Sequence, residues 1–150
     1  MSKFKTELGH VVFFVSDLDA SIAFYKDIVG LEETGRTFNG RAAVLTGGST
    51  HHELLLIQVD GEREPRRRGS IGLYHVGWCV GDNLDQLRAA LKRVEAAGIE
   101  PIGLSDHGIS HSLYLYDPDG NEVELYVDNP EYDWQTRTDW LDYPVKPLEL

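Results

Sequence analysis

The chain of 150 residues is long enough for one domain, or for two small halves that share a core, to bury a sizeable fraction of its surface. Its 25 acidic side chains against 14 basic ones give a formal net charge of -11, and such a surface repels phosphate backbones, so we expect no nucleic-acid partner. No apolar stretch approaches the roughly 20 residues that cross a bilayer, so we expect no membrane association.

Cysteine use and the amino terminus bear on the compartment. Cys79 is the single cysteine and cannot form an internal disulfide. The opening MSKFKTELGHVVFF lacks the uninterrupted apolar run and the cleavage site of a secretory signal. We therefore expect a cytoplasmic protein in which Cys79 is a buried, inert thiol. The one basic run, Arg66 to Arg68, follows GEREP and indicates a solvated loop without a binding role.

An internal repeat organises the chain. A shift of 65 positions places LGHVVFFVSD (8–17) over LYHVGWCVGD (73–82), and both segments are rich in β-branched and aromatic residues, as buried strands are. The recurring positions are Leu8, His10, Val11, Val15 and Asp17 in the first segment and Leu73, His75, Val76, Val80 and Asp82 in the second. The repeat predicts two equivalent halves, each opening with a strand.

A helix follows each of these strands. In the first half Asp17 or Asp19 can cap it and Gly30 ends it, while in the second half Asp82 or Asn83 precedes the pattern and Gly98 ends it. Short β-like runs separated by turn residues complete each half. These runs are 33–38, 42–45 and 52–59 in the first half and 101–104, 112–116 and 122–127 in the second.

The order of these elements predicts an α+β protein built from two βαβββ modules, at about 5–60 and 71–128. A linker lies near 61–70. An aromatic and polar tail at 129–150 would lie over the domain as a lid or serve an interface. The duplication puts His10 and His75 at equivalent places on equivalent strands, so a pseudo-two-fold arrangement would bring both imidazoles near its axis.

The last strand adds a charged side chain, Glu124, within the otherwise strand-like run EVELY. Each of these residues taken alone is more typical of a satisfied core histidine or a solvent-facing glutamate. Together, two histidines and one carboxylate match the facial triad of non-haem Fe(II) oxygenases, which keeps coordination positions open for reactants. The joint placement of His10, His75 and Glu124 therefore favours a catalytic metal site.

Three segments carry a family resemblance: LGHVVFFVSDLDASIAFYKDIVGL, YHVGWCVGDN and YLYDPDGNEVELY. They resemble the vicinal oxygen chelate superfamily, which includes glyoxalase I, type I extradiol dioxygenases and the fosfomycin and bleomycin resistance proteins. The resemblance implies that paired βαβββ modules form an open, incomplete barrel around a metal. It also implies that His10, His75 and Glu124 are the ligands.

Two further segments resemble the small two-module type I extradiol dioxygenases. HHEL (51–54) resembles the strand with a catalytic histidine, which maps onto His52, and DHGIS (106–110) with Tyr114 resembles a histidine and tyrosine beside the metal, His107 and Tyr114. The resemblance implies an Fe(II) enzyme, with Mn(II), Ni(II) or Zn(II) as other metals. It would cleave the ring of a small aromatic diol with O2, and a homodimer or higher homo-oligomer is expected.

In such chemistry the vicinal oxygens of a catechol chelate the metal and dioxygen takes the remaining position. His52 would accept a substrate proton and return it later, Tyr114 would hydrogen-bond a substrate oxygen, and His107 would help to bind substrate or dioxygen. Strand alternation would place Leu54 and Leu56 beside His52 as an apolar wall of the pocket.

Two other functions stay open. In a glyoxalase I-like lyase or isomerase, Glu53 rather than His52 would face the metal as a fourth ligand, which makes Ni(II) or Zn(II) more suitable. Neighbouring strand residues face opposite ways, so only one of the two side chains is expected to do so. The second alternative is a drug-binding resistance protein without catalysis, which would need a groove but no set of ligands.

Overall fold

The computed structural model describes residues 6–62, 69 and 71–150. The basic run Arg66 to Arg68 lies outside these residues. The chain divides into two compact units, one of Met1–Lys26 with Gly30–Arg63 and one of Asp27–Val29 with Glu64–Leu150. Across the described part of the chain, no helix combines the length and apolarity that a membrane span requires.

The described part of the first unit contains a four-stranded sheet, one α-helix and a short 3-10 helix, Phe38–Gly40. Its elements are β1 (Val11–Val15), α1 (Leu18–Phe24), β2 (Glu32–Thr37), β3 (Ala42–Thr46) and β4 (Leu54–Gln58). The strand order is β1-β4-β3-β2, with β1 parallel to β4 and the other pairs antiparallel. This is a βαβββ unit in which the last strand inserts between the first strand and the hairpin.

Local chemistry sets the limits of α1. The carboxylate of Asp17 caps the helix by accepting a hydrogen bond from the Ala20 amide at 3.0 Å, which satisfies a donor that the first turn leaves unpaired. The helix then widens into a π-helical turn, Tyr25–Val29, and stops at Gly30, whose φ of 97° is open to glycine at little cost. Both predicted ends are observed, and the π turn between them is an addition.

The second unit repeats the arrangement. Its elements are β5 (His75–Gly81), α2 (Leu84–Ala96), β6 (Gly103–Asp106), β7 (Ser110–Tyr116), β8 (Glu122–Asp128) and β9 (Lys146–Pro147). The sheet order is β5-β8-β7-β6-β9, so its first four strands follow the order of the first unit, and β5 is again parallel to the strand beside it. The predicted α+β class and the duplicated βαβββ pattern are confirmed.

The two faces of this second sheet differ in polarity. Because side chains alternate along a strand, one face of β7 and β8 is apolar apart from His111 at its end, and the other carries mostly polar side chains. The buried apolar set is Leu113, Leu115, Val123, Leu125 and Val127, and α2 contributes Leu87, Ala90 and Val94 as its buried side. We call the opposite, polar face of β5, β7 and β8 the open face.

The carboxyl-terminal tail is part of this sheet. Residues Lys146–Pro147 form β9, which pairs antiparallel with the edge of β6. The amide of Leu148 continues the pairing by donating to the carbonyl of Leu104 at 3.3 Å. Strand addition therefore fixes the end of the tail, which the sequence alone had left as a lid or an interface segment.

Candidate functional site

The open face of the second unit carries three predicted functional residues, His75, Tyr114 and Glu124, together with Glu122. In the strand register Glu124 lies between Gly77 of β5 and Tyr114 of β7, and His75 is paired with Glu122. The side chains of His75, Glu122 and Glu124 are 27 %, 14 % and 15 % exposed. They are accessible to a small molecule, yet sufficiently enclosed that their mutual electrostatic interactions are only partly screened.

His75 lies between two carboxylates. Its Nε2 is 3.1 Å from Oε2 of Glu124, and its Nδ1 is 3.5 Å from Oε1 of Glu122. Histidines that bind metals commonly turn one ring nitrogen to the ion and the other to a carboxylate, which fixes the ring and its tautomer. Glu122 is the carboxylate nearest to Nδ1, but at 3.5 Å it makes no hydrogen bond with this buried nitrogen, and Nε2 is left for the metal.

His75 Nε2 and Glu124 Oε2 fit a divalent metal. Two ligand atoms at right angles, each about 2.1 Å from an ion, lie about 3 Å from one another. The observed 3.1 Å matches this separation, and a neutral imidazole with a carboxylate suits iron, manganese, nickel or zinc. These two residues are therefore the part of the predicted ligand set that the second unit brings together.

A hydrogen-bonded chain continues from the other oxygen of Glu124. The Tyr114 hydroxyl donates to Glu124 Oε1 at 2.9 Å, and His107 Nε2 lies 2.9 Å from the same hydroxyl oxygen. Because the single hydroxyl proton is used on Glu124, the His107 ring must donate its Nε2 proton to Tyr114. Burial, followed by the bond to Glu124, raises the pKa of Tyr114 well above its usual value, so the phenol stays neutral.

Gly77 creates the space in which this carboxylate lies. A Cβ atom at this position would lie 3.1 Å from Glu124 Oε2 and 3.4 Å from the ring of Tyr126. Sequence reasoning missed this residue, although a glycine inside a strand is a recognised sign of close approach by another group. Cys79, two residues further along β5, is exposed, so the expectation of a buried thiol is wrong.

In the first unit His10 and His52 lie together. His10 immediately precedes β1, and His52 lies two residues before β4. These strands are parallel neighbours, and at this end the Val11 amide donates a 2.9 Å hydrogen bond to the Glu53 carbonyl. The ring centroids of His10 and His52 are 4.7 Å apart, and those of His51 and His52 are 4.4 Å apart. Burial and the neighbouring histidines lower the pKa of His52.

Glu53 has a local role in the loop between β3 and β4. Its carboxylate accepts hydrogen bonds from the Thr46 hydroxyl at 2.9 Å, from the amides of Gly47, Ser49 and Thr50 at 2.8 to 3.1 Å, and from the Ser49 hydroxyl. Burial alone would raise the pKa of Glu53, but these bonds outweigh it and lower the pKa to about 2. The Glu53 carboxylate therefore stabilises the loop through these hydrogen bonds.

The prediction that Leu54 and Leu56 line the substrate pocket as an apolar wall is wrong. Both side chains are completely buried in the core of the first unit, on the face of β4 that also carries Phe13 of the paired strand. Phe13 packs on Tyr25, with ring centroids 6.2 Å apart, so this face lies toward the helical segment. The strand begins at Leu54 rather than at His52, so alternation does not extend back to the histidine.

The structure thus gathers the predicted residues in two places. His75, Glu124, Tyr114 and His107 form one connected set in the second unit, and His10 lies with His52 in the first. Within residues 6–62, 69 and 71–150, no three histidine, cysteine, aspartate or glutamate side chains are grouped closely enough to hold a metal ion. The complete triad is therefore a proposal about the metal-loaded protein.

Comparison with known proteins identifies the family. The family model described as Glyoxalase/Bleomycin resistance protein/Dioxygenase superfamily matches residues 7–125. A catechol-2,3-dioxygenase of Bacillus subtilis is 35% identical over 130 residues, which are 87% of this chain and 44% of that protein, so the chain spans less than half of that relative.

Two other relatives have different activities in their names. Metallothiol transferase FosB of Staphylococcus epidermidis is 34% identical over 81% of this chain and 82% of its own length. The lactoylglutathione lyase from Agrobacterium tumefaciens, known from its crystal structure, is 28% identical in sequence to this chain. The two structures match with a TM-score of 0.62, and the match covers 83% of this chain and 96% of the lyase chain. The chain belongs to the glyoxalase/bleomycin resistance protein/dioxygenase superfamily.

Proposed function

We propose that this protein is an Fe(II)-dependent extradiol dioxygenase that cleaves the ring of a catechol-type diol and incorporates both atoms of O2. His10, His75 and Glu124 are its metal ligands in this proposal. The same proposal includes three further features. The substrates are a small aromatic diol and dioxygen, the location is cytoplasmic, and the protein is a homodimer or a higher homo-oligomer.

The observation that carries the proposal is the chain of bonds from Glu124 through Tyr114 to His107. This chain connects the proposed metal ligand to two further polar side chains, with 2.9 Å between the bonded atoms at each step. This alignment places the hydroxyl of Tyr114 and the imidazole of His107 beside the carboxylate that would hold the metal, which is where a metal-bound substrate would lie. The similarity to a catechol-2,3-dioxygenase supports the same reaction class.

Each side chain then has a defined task. His75 and Glu124 hold the ion, with the Glu122 carboxylate beside the other ring nitrogen, and bound iron would supply the site at which diol and dioxygen meet. Tyr114 hydrogen-bonds a substrate oxygen, and His107 helps to bind substrate or dioxygen beside it. His52, whose pKa is lowered by burial and by the neighbouring histidines, accepts a proton from the diol and returns it during ring opening.

The test is anaerobic loading with Fe(II), followed by a panel of catechols and air, monitored for the yellow ring-fission product. Wild-type protein is expected to form the product, and Glu124→Gln to lose metal and turnover while it stays folded. A further variant, His52→Phe, should keep the metal and lose a factor on the order of 10² to 10⁴ in turnover, as a removed general acid or base does. Unchanged cleavage by His52→Phe would refute the role of His52.

A glyoxalase-like lyase is the second candidate, because the lactoylglutathione lyase is similar over most of both chains. That reaction would need a fourth ligand, and the residue that the sequence offers for it, Glu53, is bonded to the loop at 46–50. Turnover of the hemithioacetal of methylglyoxal and glutathione by Ni(II)-loaded or Zn(II)-loaded protein, without catechol cleavage by the Fe(II) form, would establish this alternative.

A further inference from the structure

The turn that carries His107 is held by the carboxyl-terminal tail. His107, Gly108 and Ile109 connect β6 to β7, and the His107 amide donates to the carbonyl of Ser110 at 2.9 Å. Gly108 has a φ of 76°, so this tight turn depends on a conformation that other residues rarely adopt. A change in this turn would move the imidazole that bonds Tyr114.

The start of the tail binds the turn from one side. The Asn129 side chain donates from Nδ2 to the carbonyl of Gly108 at 2.9 Å, and the Asn129 amide donates to the carbonyl of Ile109 at 2.8 Å. Asn129 directly follows β8, the strand of Glu124. The turn is thereby tied to the strand that supplies the metal ligand.

Tyr143, near the end of the tail, holds the turn from another side. Its ring lies so close to Gly108 that a Cβ there would be 2.8 Å from Cγ of the tyrosine. Its hydroxyl donates to Oδ2 of Asp106 at 3.2 Å, while Oδ1 of the same carboxylate accepts from the Gly108 amide at 2.7 Å. One carboxylate thus connects the tyrosine with the backbone of the turn.

The pairing of β9 with β6 keeps Tyr143 in place. Lys146, the first residue of β9, donates from Nζ to the Tyr143 hydroxyl at 2.9 Å and lies 4.5 Å from its ring centroid. Lys146 is paired with Asp106 in the strand register. Ring contact, hydrogen bonds and strand pairing therefore converge on the residues immediately flanking His107.

We propose that Tyr143 is a positioning residue for His107, and that the tail acts as a clamp on the 107–109 turn rather than as a lid or a subunit interface. The proposal rests on the proposed function for its catalytic consequence. Its structural part concerns the bond between His107 Nε2 and the Tyr114 hydroxyl and can be measured without metal.

The kinetic test compares Tyr143→Leu, which keeps apolar bulk but removes the ring and hydroxyl, with Tyr143→Phe, which keeps the ring on Gly108. Tyr143→Leu should lower kcat about tenfold with little change in KM for the diol, because small misplacements near reacting groups reduce turnover by factors of up to about 10². Tyr143→Phe should recover most of the activity. Tyr132→Phe is the matched control, since its hydroxyl bonds Asp139 and Trp140 within the tail.

A double-mutant cycle identifies the route of the effect. If Tyr143 acts through His107, then Tyr143→Leu should cause almost no further loss of kcat in a His107→Asn background. Additive losses would show that the tail acts on the substrate or on an interface, and would overturn the proposal. Measurement of metal content in every variant separates misplacement of His107 from loss of the ion.

The structural test uses metal-free protein labelled with ¹⁵N, with the His107 ring signals assigned from His107→Asn. The wild type should show a protonated Nε2 in slow exchange, and Tyr143→Leu should accelerate that exchange while Tyr132→Phe leaves it unchanged. Identical His107 signals in wild type and Tyr143→Leu would overturn the clamp. If the wild type cleaves no catechol, the proposed function fails, but this readout still decides the clamp.

Discussion

Replacement of Glu53 by glutamine tests whether this carboxylate supports the loop or binds a metal. The Glu53 carboxylate accepts bonds from residues 46, 47, 49 and 50. A glutamine retains one acceptor oxygen but turns an amide group toward the remaining donors, so part of this set is lost. We expect Glu53→Gln to be folded but less stable, and to bind metal as wild type does.

The size of the effect follows from the pKa of Glu53, which is lowered from 4.5 to about 2. At about 1.4 kcal/mol per pKa unit this lowering sets an upper limit of about 3 kcal/mol, and screening by solvent around the partly accessible carboxylate makes the actual contribution smaller. Because the folded-state pKa is depressed, this contribution is complete above pH 4.5 and is lost as the pH falls from there toward 2. The variant should therefore be less stable by about 1 to 2 kcal/mol at pH 7, and the difference should shrink steadily as the pH falls below 4.5 and approach zero only below about pH 2.

The assay is urea unfolding of metal-free wild type and Glu53→Gln between pH 7 and pH 2.5. A stability difference that does not change with pH would refute the electrostatic reasoning. Metal content and catechol cleavage are then measured at pH 7. Loss of the ion from Glu53→Gln, with unchanged stability of the metal-free protein, would instead make Glu53 a ligand and favour the lyase.

Three further predictions concern the second unit. Gly77→Ala should displace the Glu124 carboxylate and weaken Fe(II) binding about tenfold in a metal titration, whereas Gly103→Ala, whose Cβ would meet nothing within 4 Å, should not. Tyr114→Phe should keep the metal and lower kcat about 10- to 100-fold in the catechol assay. Leu125→Ala should cost about 2 to 5 kcal/mol in urea unfolding because its side chain is completely buried.

The duplicated fold could be predicted from the sequence because its signals are local and repeated. His10 and His75 recur within matching apolar segments, and Asp17 and Gly30 mark the ends of a helical segment with the chemistry that helix ends require. The alternation in β8, with Glu124 between buried Val123 and Leu125, also follows directly from the pattern.

The parts that could not be predicted depend on where a strand begins and on contacts between distant residues. His52 lies before β4, so the parity that joined it to Leu54 and Leu56 does not apply. Glu53 finds its partners in a loop whose shape the sequence does not specify. The pairing of Lys146 with Asp106 spans 40 positions and has no local signal.

Isotope labelling tests the central claim, ring cleavage with both atoms of dioxygen, most directly. Fe(II)-loaded protein is given ¹⁸O2 and the catechol that it turns over fastest, and the ring-fission product is analysed by mass spectrometry after brief reaction. The account predicts a product that carries two ¹⁸O atoms, and no product from Glu124→Gln. A product with one labelled oxygen or none, or conversion of substrate without consumption of O2, would contradict it.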